Sequence, residues 1–210
     1  MTHTGGKTKT LNRDKITDAA IVTFAENPEA TMAEIAEAAG IVRRTVYGHF
    51  PTRHDLIIGI VERAAQELVE ALPGPEDIPE EPEVALALLE LSNWPVGDRY
   101  RALLGVGRRE LGDQRVLDML AGTRRLACRI IEDGQARGVF TQRLAAATIV
   151  AVSEAASLAL LGETASGEDN LTAEVAADIA LSLAGVDTCR RLDAIRKAEA
   201  IRGLDHQSSR

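Results

Sequence analysis

Side chains suited to binding a nucleic acid are concentrated in one short segment of this sequence. Two neighbouring arginines, Arg43 and Arg44, are followed by the hydroxyl groups of Thr45 and Tyr47. Guanidinium groups pair with guanine edges or phosphates, and hydroxyl groups bond phosphate oxygens or base edges. This combination predicts contact with DNA if the surrounding elements present these side chains on one exposed face.

Two short helices joined by a glycine are predicted to hold these side chains in place. Thr31 precedes an apolar run, and Glu34 follows three residues later, which is the spacing of a capping box. Gly40 suits the left-handed residue that ends this helix. A second helix is predicted over residues 42–50, with its apolar positions inward and its arginines outward, as in a helix-turn-helix unit. The alternative is a solvated helical hairpin whose arginines merely face water.

Residues 12–60 resemble the N-terminal DNA-binding domain of the TetR family of transcriptional regulators. The resemblance rests on Ile35, Ala36, Ala39, Gly40, Ile41, Thr45, Val46, Tyr47, His49, Phe50, Arg53 and Leu56. It implies that Thr31, residues 43–47, His49 and Arg53 face DNA. It also implies that Tyr47 contacts a phosphate.

Two residues depart from the pattern of that family. Val42 stands where the family often has serine, so the second helix forfeits a side-chain N-cap. Arg44 stands where the family often has proline or a small residue. Either the operator differs, with Arg44 reading a base or binding a phosphate, or the recognition helix lies at a changed tilt. The base preference of a relative therefore does not transfer to this chain.

The charge distribution is compatible with DNA binding, although the net charge of the 210 residues is −8. The basic and acidic residues balance over residues 1–55, whereas the whole acidic excess lies in residues 56–210. A local basic footprint is what a DNA contact requires. Aromatic residues make up only 3% of the chain, which favours helices over sheet. An all-α fold is predicted.

The chain is predicted to divide into an N-terminal DNA-binding domain and a larger C-terminal helical domain. We expect a flexible basic arm at 1–11, a helix-turn-helix domain at 12–56, a regulatory and dimerisation domain at 57–203 and a loose tail at 204–210. A first helix is predicted at 12–26. A long helix capped by Thr52 is predicted at 52–72, and the proline-rich and acidic residues 73–82 form a linker.

The C-terminal domain is predicted to be helical throughout. The predicted helices span 83–93, 98–111, 114–137, 141–161, 171–184 and 189–201, with a break around Pro95 and with Asp113 as a cap. The helix at 141–161 is apolar nearly all round, which indicates burial on several sides. Together with 171–184 it is the predicted dimer interface, by likeness to the family, and the alternative is a core helix of a monomer.

The residue types that would indicate an enzyme are missing from the C-terminal domain. The four histidines, His3, His49, His54 and His206, all lie near one end of the chain or in the DNA-binding segment. No phosphate-binding loop or dinucleotide motif occurs, so we expect no catalytic residue, no metal and no cofactor. The two cysteines have no framework spacing and no apolar run could span a membrane, which predicts a reduced, cytoplasmic setting.

Five residues are candidates for a ligand pocket, with ordinary core packing as the alternative. They are Trp94, Tyr100, Met119, Thr123 and Glu154. Glu154 stands alone in an apolar helix, and a buried carboxylate needs a partner. An arginine across the dimer interface is the favoured partner, and a cationic ligand is the other.

These patterns predict a homodimeric transcriptional repressor that a small molecule releases from a pseudo-palindromic operator in double-stranded DNA. A regulator controlled by a protein partner is one alternative. An enzyme or carrier that contains a helix-turn-helix-like hairpin is another.

Overall fold

The computed structural model describes residues 4–112, 114–115, 118, 121–163 and 172–208. All regular structure in these residues is α-helical, which confirms the predicted fold class. The helices are α1 (Thr4–Glu26), α2 (Met32–Ala38), α3 (Arg43–His49), α4 (Arg53–Glu70), α5 (Pro82–Leu111), α6 (Ala121–Ala136), α7 (Ala146–Glu163), α8 (Ala173–Leu183) and α9 (Thr188–Ser208). Residues 114, 115 and 118 are also helical, whereas Asp113 lies outside the described residues.

The chain forms two compact units. The first, here called the head, comprises Met1–Gln66 and Tyr100–Met119, and the second, the body, comprises Glu67–Arg99 and Leu120–Arg210. Helices α4 and α5 therefore contribute residues to both units. The C-terminal part of α5 belongs to the head, although the sequence had suggested a boundary after residue 56.

The head has a closed apolar core to which each of its first four helices contributes. The fully buried side chains include Ile16 and Phe24 of α1, Ile35 of α2, Val46 of α3, and Phe50, Leu56, Ile57 and Ile60 in and before α4. Burial of this apolar surface, at roughly 25 cal/mol per Å², is the main force that fixes the positions of the short helices α2 and α3. Isolated helices of seven residues would not be stable in water.

The two ends of the chain are more helical than predicted. Helix α1 begins at Thr4 rather than at residue 12, so residues 4–11 are not the expected irregular arm. No proline lies between Thr4 and Glu26, and each residue added to a formed helix gains one hydrogen bond. Helix α9 likewise extends to Ser208, so residues 204–208 are not the expected loose tail.

Helix α5 runs through Pro95, where the sequence predicted a break between two helices. Proline has no N–H, so the carbonyl of Leu91, four residues earlier, loses its helical donor. The Arg202 guanidinium of α9 donates to this carbonyl at 2.7 Å. The prediction of a break was wrong because a residue far along the chain supplies the missing hydrogen bond.

Helix α7 begins at Ala146, five residues after the predicted start at residue 141. The preceding segment is held in an irregular conformation by hydrogen bonds from outside it. The Gln135 amide donates to the carbonyls of Thr141 (2.7 Å) and Leu144 (2.8 Å), and the Thr141 N–H donates to the Ala184 carbonyl at 2.8 Å. These hydrogen bonds stabilise the irregular conformation of the segment before Ala146.

The body has its own core, built from α5 to α9. Helix α7 packs against α6 and α8, and α8 packs against α9. Fully buried members include Leu89, Leu91, Ile131, Ile149 and Leu181. Among the described helices, none is both long and apolar enough to cross a membrane.

Candidate nucleic-acid interface

Helix α2 begins with the predicted capping box. The Thr31 N–H donates to the Glu34 carboxylate at 2.7 Å, and the Glu34 N–H donates to the Thr31 hydroxyl at 3.3 Å. Hydrogen bonds from the Thr31 hydroxyl and the Thr31 N–H lower the pKa of the Glu34 carboxyl. The box keeps the entrance of α2 ordered while Thr31 itself remains exposed.

The turn between α2 and α3 also follows the prediction. Gly40 has a φ of 63°, in the left-handed region that glycine enters without a steric penalty. The Ile41 N–H then donates to the Ala36 carbonyl at 3.0 Å, which closes the end of α2. Val42 is the N-cap residue of α3 and makes no side-chain capping hydrogen bond, as its residue type predicted.

Helix α3 presents the predicted DNA-facing side chains at the surface of the head. Arg43 and Arg44 are exposed, and Tyr47 is 48% exposed. Thr45 and His49 are half-buried. Val46 is fully buried, so the helix has one face in the core and the other in solvent.

Arg53 occupies a different environment from the arginines of α3. Its guanidinium donates to the carbonyls of Pro28 (2.6 Å) and Ala30 (3.2 Å) and to the carboxylate of Glu110. It also lies over the ring of Phe24, with 5.0 Å between the guanidinium carbon and the ring centroid. Arg53 thus ties the start of α4 to the 28–30 turn and to α5. Contact between Arg53 and DNA stays a prediction.

Helix α4 begins with a second box of the same kind. The Asp55 N–H donates to the Thr52 hydroxyl at 3.1 Å, and the Thr52 N–H donates to the Asp55 carboxylate at 3.0 Å. Thr52 therefore caps α4, as predicted. Gly59 permits a close approach inside this helix, because a Cβ there would lie 2.7 Å from Cε1 of Phe50.

The last turn of α5, which is part of the head, makes two ion pairs with other elements of the head. Besides the Glu110 contact to Arg53, the Arg109 guanidinium lies 2.9 Å from the Glu29 carboxylate. Glu29 lies in the turn just before Thr31, the first residue of the capping box. Helix α5 therefore contacts the 28–30 turn before α2 directly, through Arg109 and Glu29, and indirectly, through Glu110 and Arg53.

The five predicted pocket residues do not all belong to one unit. Tyr100 is buried in the head, whereas Trp94, Thr123 and Glu154 are half-buried residues of the body. Met119 lies outside the described residues. Glu154 has an arginine partner, but it is Arg124 of the same chain rather than the expected arginine across a dimer interface. Nε of Arg124 lies 3.2 Å from the Glu154 carboxylate.

Sequence reasoning missed two polar residues of α5 in the body, Glu90 and Asn93. Burial raises the pKa of the Glu90 carboxyl to about 7, and the nearby carboxyl group of Glu154 contributes to the rise. Oδ1 of Asn93 is buried and has no hydrogen-bond partner among the described residues. Glu90 interrupts a run of alanines and leucines at 85–91, and this interruption was the signal that could have identified it.

One face of α7 is exposed yet almost entirely apolar. The exposed residues of this face are Ala147, Thr148, Ala151, Val152, Ala155 and Ala159. They follow the four-residue spacing of a single helical face. The opposite face of α7 is buried in the body through Ile149 and Val150.

Comparison with known proteins identifies residues 16–60 of the head. Residues 16–60 match the family model for bacterial regulatory proteins of the tetR family. The HTH-type transcriptional repressor LfrR of Mycolicibacterium smegmatis is 37% identical over 71 residues, which are 31% of this chain and 38% of LfrR. The match thus spans little more than a third of that relative. The predicted resemblance of the N-terminal domain is confirmed.

Solved structures share the fold over most of the chain. LfrR from Mycobacterium smegmatis in complex with proflavine has a TM-score of 0.64 at 21% identity, covering 84% of this chain and 97% of LfrR. FadR from Bacillus subtilis in complex with stearoyl-CoA has a TM-score of 0.67 at 19% identity, covering 81% and 96%. RolR in complex with resorcinol has a TM-score of 0.60 at 19% identity, covering 90% and 95%.

Proposed function

We propose that this chain, whose head is a TetR-type DNA-binding domain, is a homodimeric transcriptional repressor that a small molecule releases from its operator. The observation that carries the proposal is the family match over residues 16–60, combined with the exposed arginines and tyrosine of α3. A recognition helix in a major groove needs one face packed in the core and a cationic face in solvent, and α3 has both.

Within this proposal, α3 reads the operator. Arg43 and Arg44 bind guanine edges or phosphates, while Tyr47 and the half-buried Thr45 and His49 contact phosphates or base edges. Thr31, at the N-terminus of α2, is proposed to face the DNA backbone. Arg53 acts mainly by positioning the start of α4, since Pro28, Ala30 and Glu110 already accept its hydrogen bonds.

The dimer is proposed to form through the exposed apolar face of α7 together with α8. The exposed face of α7 consists of four alanines, one valine and one threonine, and its small side chains permit close packing with a second copy. One recognition helix buries too little surface for tight binding. Two heads spaced by about one turn of DNA, 34–36 Å, would read both halves of a pseudo-palindrome.

Release is proposed to follow from ligand binding in the body. The structurally similar proteins LfrR, FadR and RolR were solved with small molecules. In this chain α5 carries Glu90 in the body and Glu110 in the head. A ligand that binds one position of α5 better than another would therefore shift the head between two states. DNA as the target also implies action in the cytoplasm.

Two other functions remain as test outcomes. A protein partner instead of a small molecule would leave ligand titrations without effect while DNA binding persists. An enzyme or carrier would fail to bind DNA at all. Among the described residues, no group of three or more potential ligands could hold a metal ion.

The experiment is a DNA-binding titration with the DNA upstream of the chain's own gene, measured by fluorescence anisotropy at several salt concentrations. Arg43→Ala and Arg44→Ala should each weaken binding, whereas Arg129→Ala, an exposed arginine of the body, is the matched control. A variant that weakens all sequences equally touches phosphate, and one that relaxes a single position reads that base. Affinity that barely changes between low and moderate salt would overturn the proposal.

A further inference from the structure

We propose that the effector is an organic cation with hydrogen-bond donors, recognised in the body by Glu90, Asn93 and Glu154. This inference rests on the proposed function, since it names the chemical class of the ligand that would act on the repressor. It comes from one polar cluster of the body in which, among the described residues, Glu90 has no ion-pair partner and Oδ1 of Asn93 accepts no hydrogen bond.

The cluster is built from three helices. Glu90 and Asn93 lie three residues apart on α5, which places them on the same face of that helix. Glu154 belongs to α7 and Arg124 to α6, and Nε of Arg124 lies 3.2 Å from the Glu154 carboxylate. The carboxyl groups of Glu90 and Glu154 are close enough to interact electrostatically. Of these three acceptor side chains, only Glu154 has an arginine partner among the described residues.

The donor deficit is visible at Asn93. Its Oδ1 is inaccessible to solvent, and no described residue donates to it. More than nine-tenths of buried polar groups in proteins have a hydrogen-bond partner, and leaving one without a partner costs about 1–3 kcal/mol. A ligand N–H that reached this oxygen would remove that penalty on binding.

Glu90 lacks a positively charged partner among the described residues. Among the described residues, no lysine, arginine or histidine forms an ion pair with it, whereas Arg124 pairs with Glu154. Burial raises the pKa of Glu90 to about 7, so near neutrality a substantial fraction of this carboxyl group is protonated and uncharged. Burial also raises the pKa of Glu154, and Arg124 offsets part of that rise.

The other titratable groups near the cluster do not supply the missing positive charge. Cys128, one turn after Arg124 on α6, has its pKa raised first by burial and then by Glu132. Glu132 is itself an exposed acid. The cluster therefore favours a cation over a neutral phenol or an anionic thioester. The three ligand types in the similar structures, proflavine, resorcinol and stearoyl-CoA, represent these three charge classes.

The test is a binding titration of the full chain with those three compounds as probes, followed by tryptophan or dye fluorescence at pH 8. Proflavine should bind at least about tenfold more tightly than resorcinol or stearoyl-CoA, because a charge-assisted hydrogen bond is worth about one to two decades in affinity. Glu90→Gln and Glu154→Gln should each weaken proflavine binding by about tenfold or more. Glu76→Gln, an exposed acid of the linker, should leave it unchanged.

A second measurement needs no variant. Because Glu90 must lose its proton to face a cation, wild-type affinity for proflavine should be up to about tenfold higher at pH 8 than at pH 6. Glu90→Gln should flatten this dependence.

The inference would be overturned if resorcinol bound as tightly as proflavine, or if the affinity for proflavine changed neither with pH nor in Glu90→Gln. In that event DNA binding released by resorcinol or stearoyl-CoA would leave the proposed repressor function intact. If the ligand-free chain did not bind DNA, that result would contradict the proposed function instead.

Discussion

Glu110, in the last turn of α5, accepts a hydrogen bond from the guanidinium of Arg53, the first residue of α4. Both side chains are largely shielded, with exposed fractions of 28% and 23%. A DNA phosphate near the start of α4 would have to compete with Glu110 for this guanidinium. The contact therefore links the position of α5 directly to the availability of a cation in the head.

The first prediction concerns Glu110→Gln. An amide holds Arg53 less strongly than a carboxylate does, so Arg53 becomes available to a DNA phosphate and operator affinity should rise about two- to tenfold. The slope of log affinity against log salt concentration should become steeper by the equivalent of up to about one phosphate contact. Fluorescence anisotropy over a series of salt concentrations measures both. Glu29→Gln is the control, because it removes the same charge from the head without touching Arg53. Equal effects of the two variants would mean that only overall charge matters.

The second prediction concerns Val42→Ser at the start of α3. Val42 is 72% exposed, so little apolar burial is lost, and a serine hydroxyl would supply the missing N-cap. The free energy of unfolding should rise by about 1 kcal/mol, as measured by urea denaturation. Val22→Ser is the matched control, since this valine is 60% exposed in the interior of α1 and offers no capping position. An unchanged or lower stability of Val42→Ser would show that the hydroxyl does not reach an N–H of α3.

The third prediction concerns the exposed face of α7. Ala155→Arg should convert the proposed dimer to a monomer, because two copies would bring like charges together in a close-packed helical contact. Light scattering coupled to gel filtration reports the mass, and operator affinity should fall with it. Ala136→Arg, at an exposed position in the last turn of α6, should leave the mass unchanged. A dimer that survives Ala155→Arg would place the interface elsewhere.

The fourth prediction concerns the stability of the body as a function of pH. The pKa of Glu90 is about 7 in the folded chain, above its ordinary value of 4.5. A carboxyl whose folded pKa is raised destabilises the folded state once it ionises, so the free energy of unfolding should fall as the pH rises from 5 to 8. The upper limit of this loss is about 3 kcal/mol.

Glu90→Gln removes that ionisation. The variant should melt at a higher temperature than the wild type at pH 8 and at a similar temperature at pH 5. Calorimetry at both values is the measurement, with Glu76→Gln as the control. Glu154, whose pKa burial also raises, leaves a smaller slope of the same sign in the variant. A melting temperature of Glu90→Gln below that of the wild type at pH 8 would contradict the assignment.

The parts of the fold that the sequence predicted correctly depend on neighbours in the chain. The Thr31 and Thr52 boxes join residues three apart, and Gly40 adopts its left-handed conformation within one turn. Such contacts follow from residue type and spacing alone. For the same reason the exposed face of α3 could be predicted from its apolar spacing.

The parts that the sequence missed depend on residues far apart in the chain. The break expected at Pro95 does not form, because Arg202, which lies 111 residues away, donates to the Leu91 carbonyl. The start of α7 was misplaced because Gln135 and Ala184 engage the segment before it. Glu154 was noticed for its apolar surroundings, but its pairing with Arg124 depends on how α6 packs against α7.

The hydrogen bond from Arg202 to Leu91 has a practical consequence for building reporters from this chain. Trimming the C-terminus before Arg202 would leave the Leu91 carbonyl beside Pro95 without a donor and weaken α5 at that point. A biosensor in which a fluorescent tag replaces α9 would therefore lose rigidity in the helix that carries Glu90 and Glu110. The tag should follow the complete α9 rather than be spliced into it.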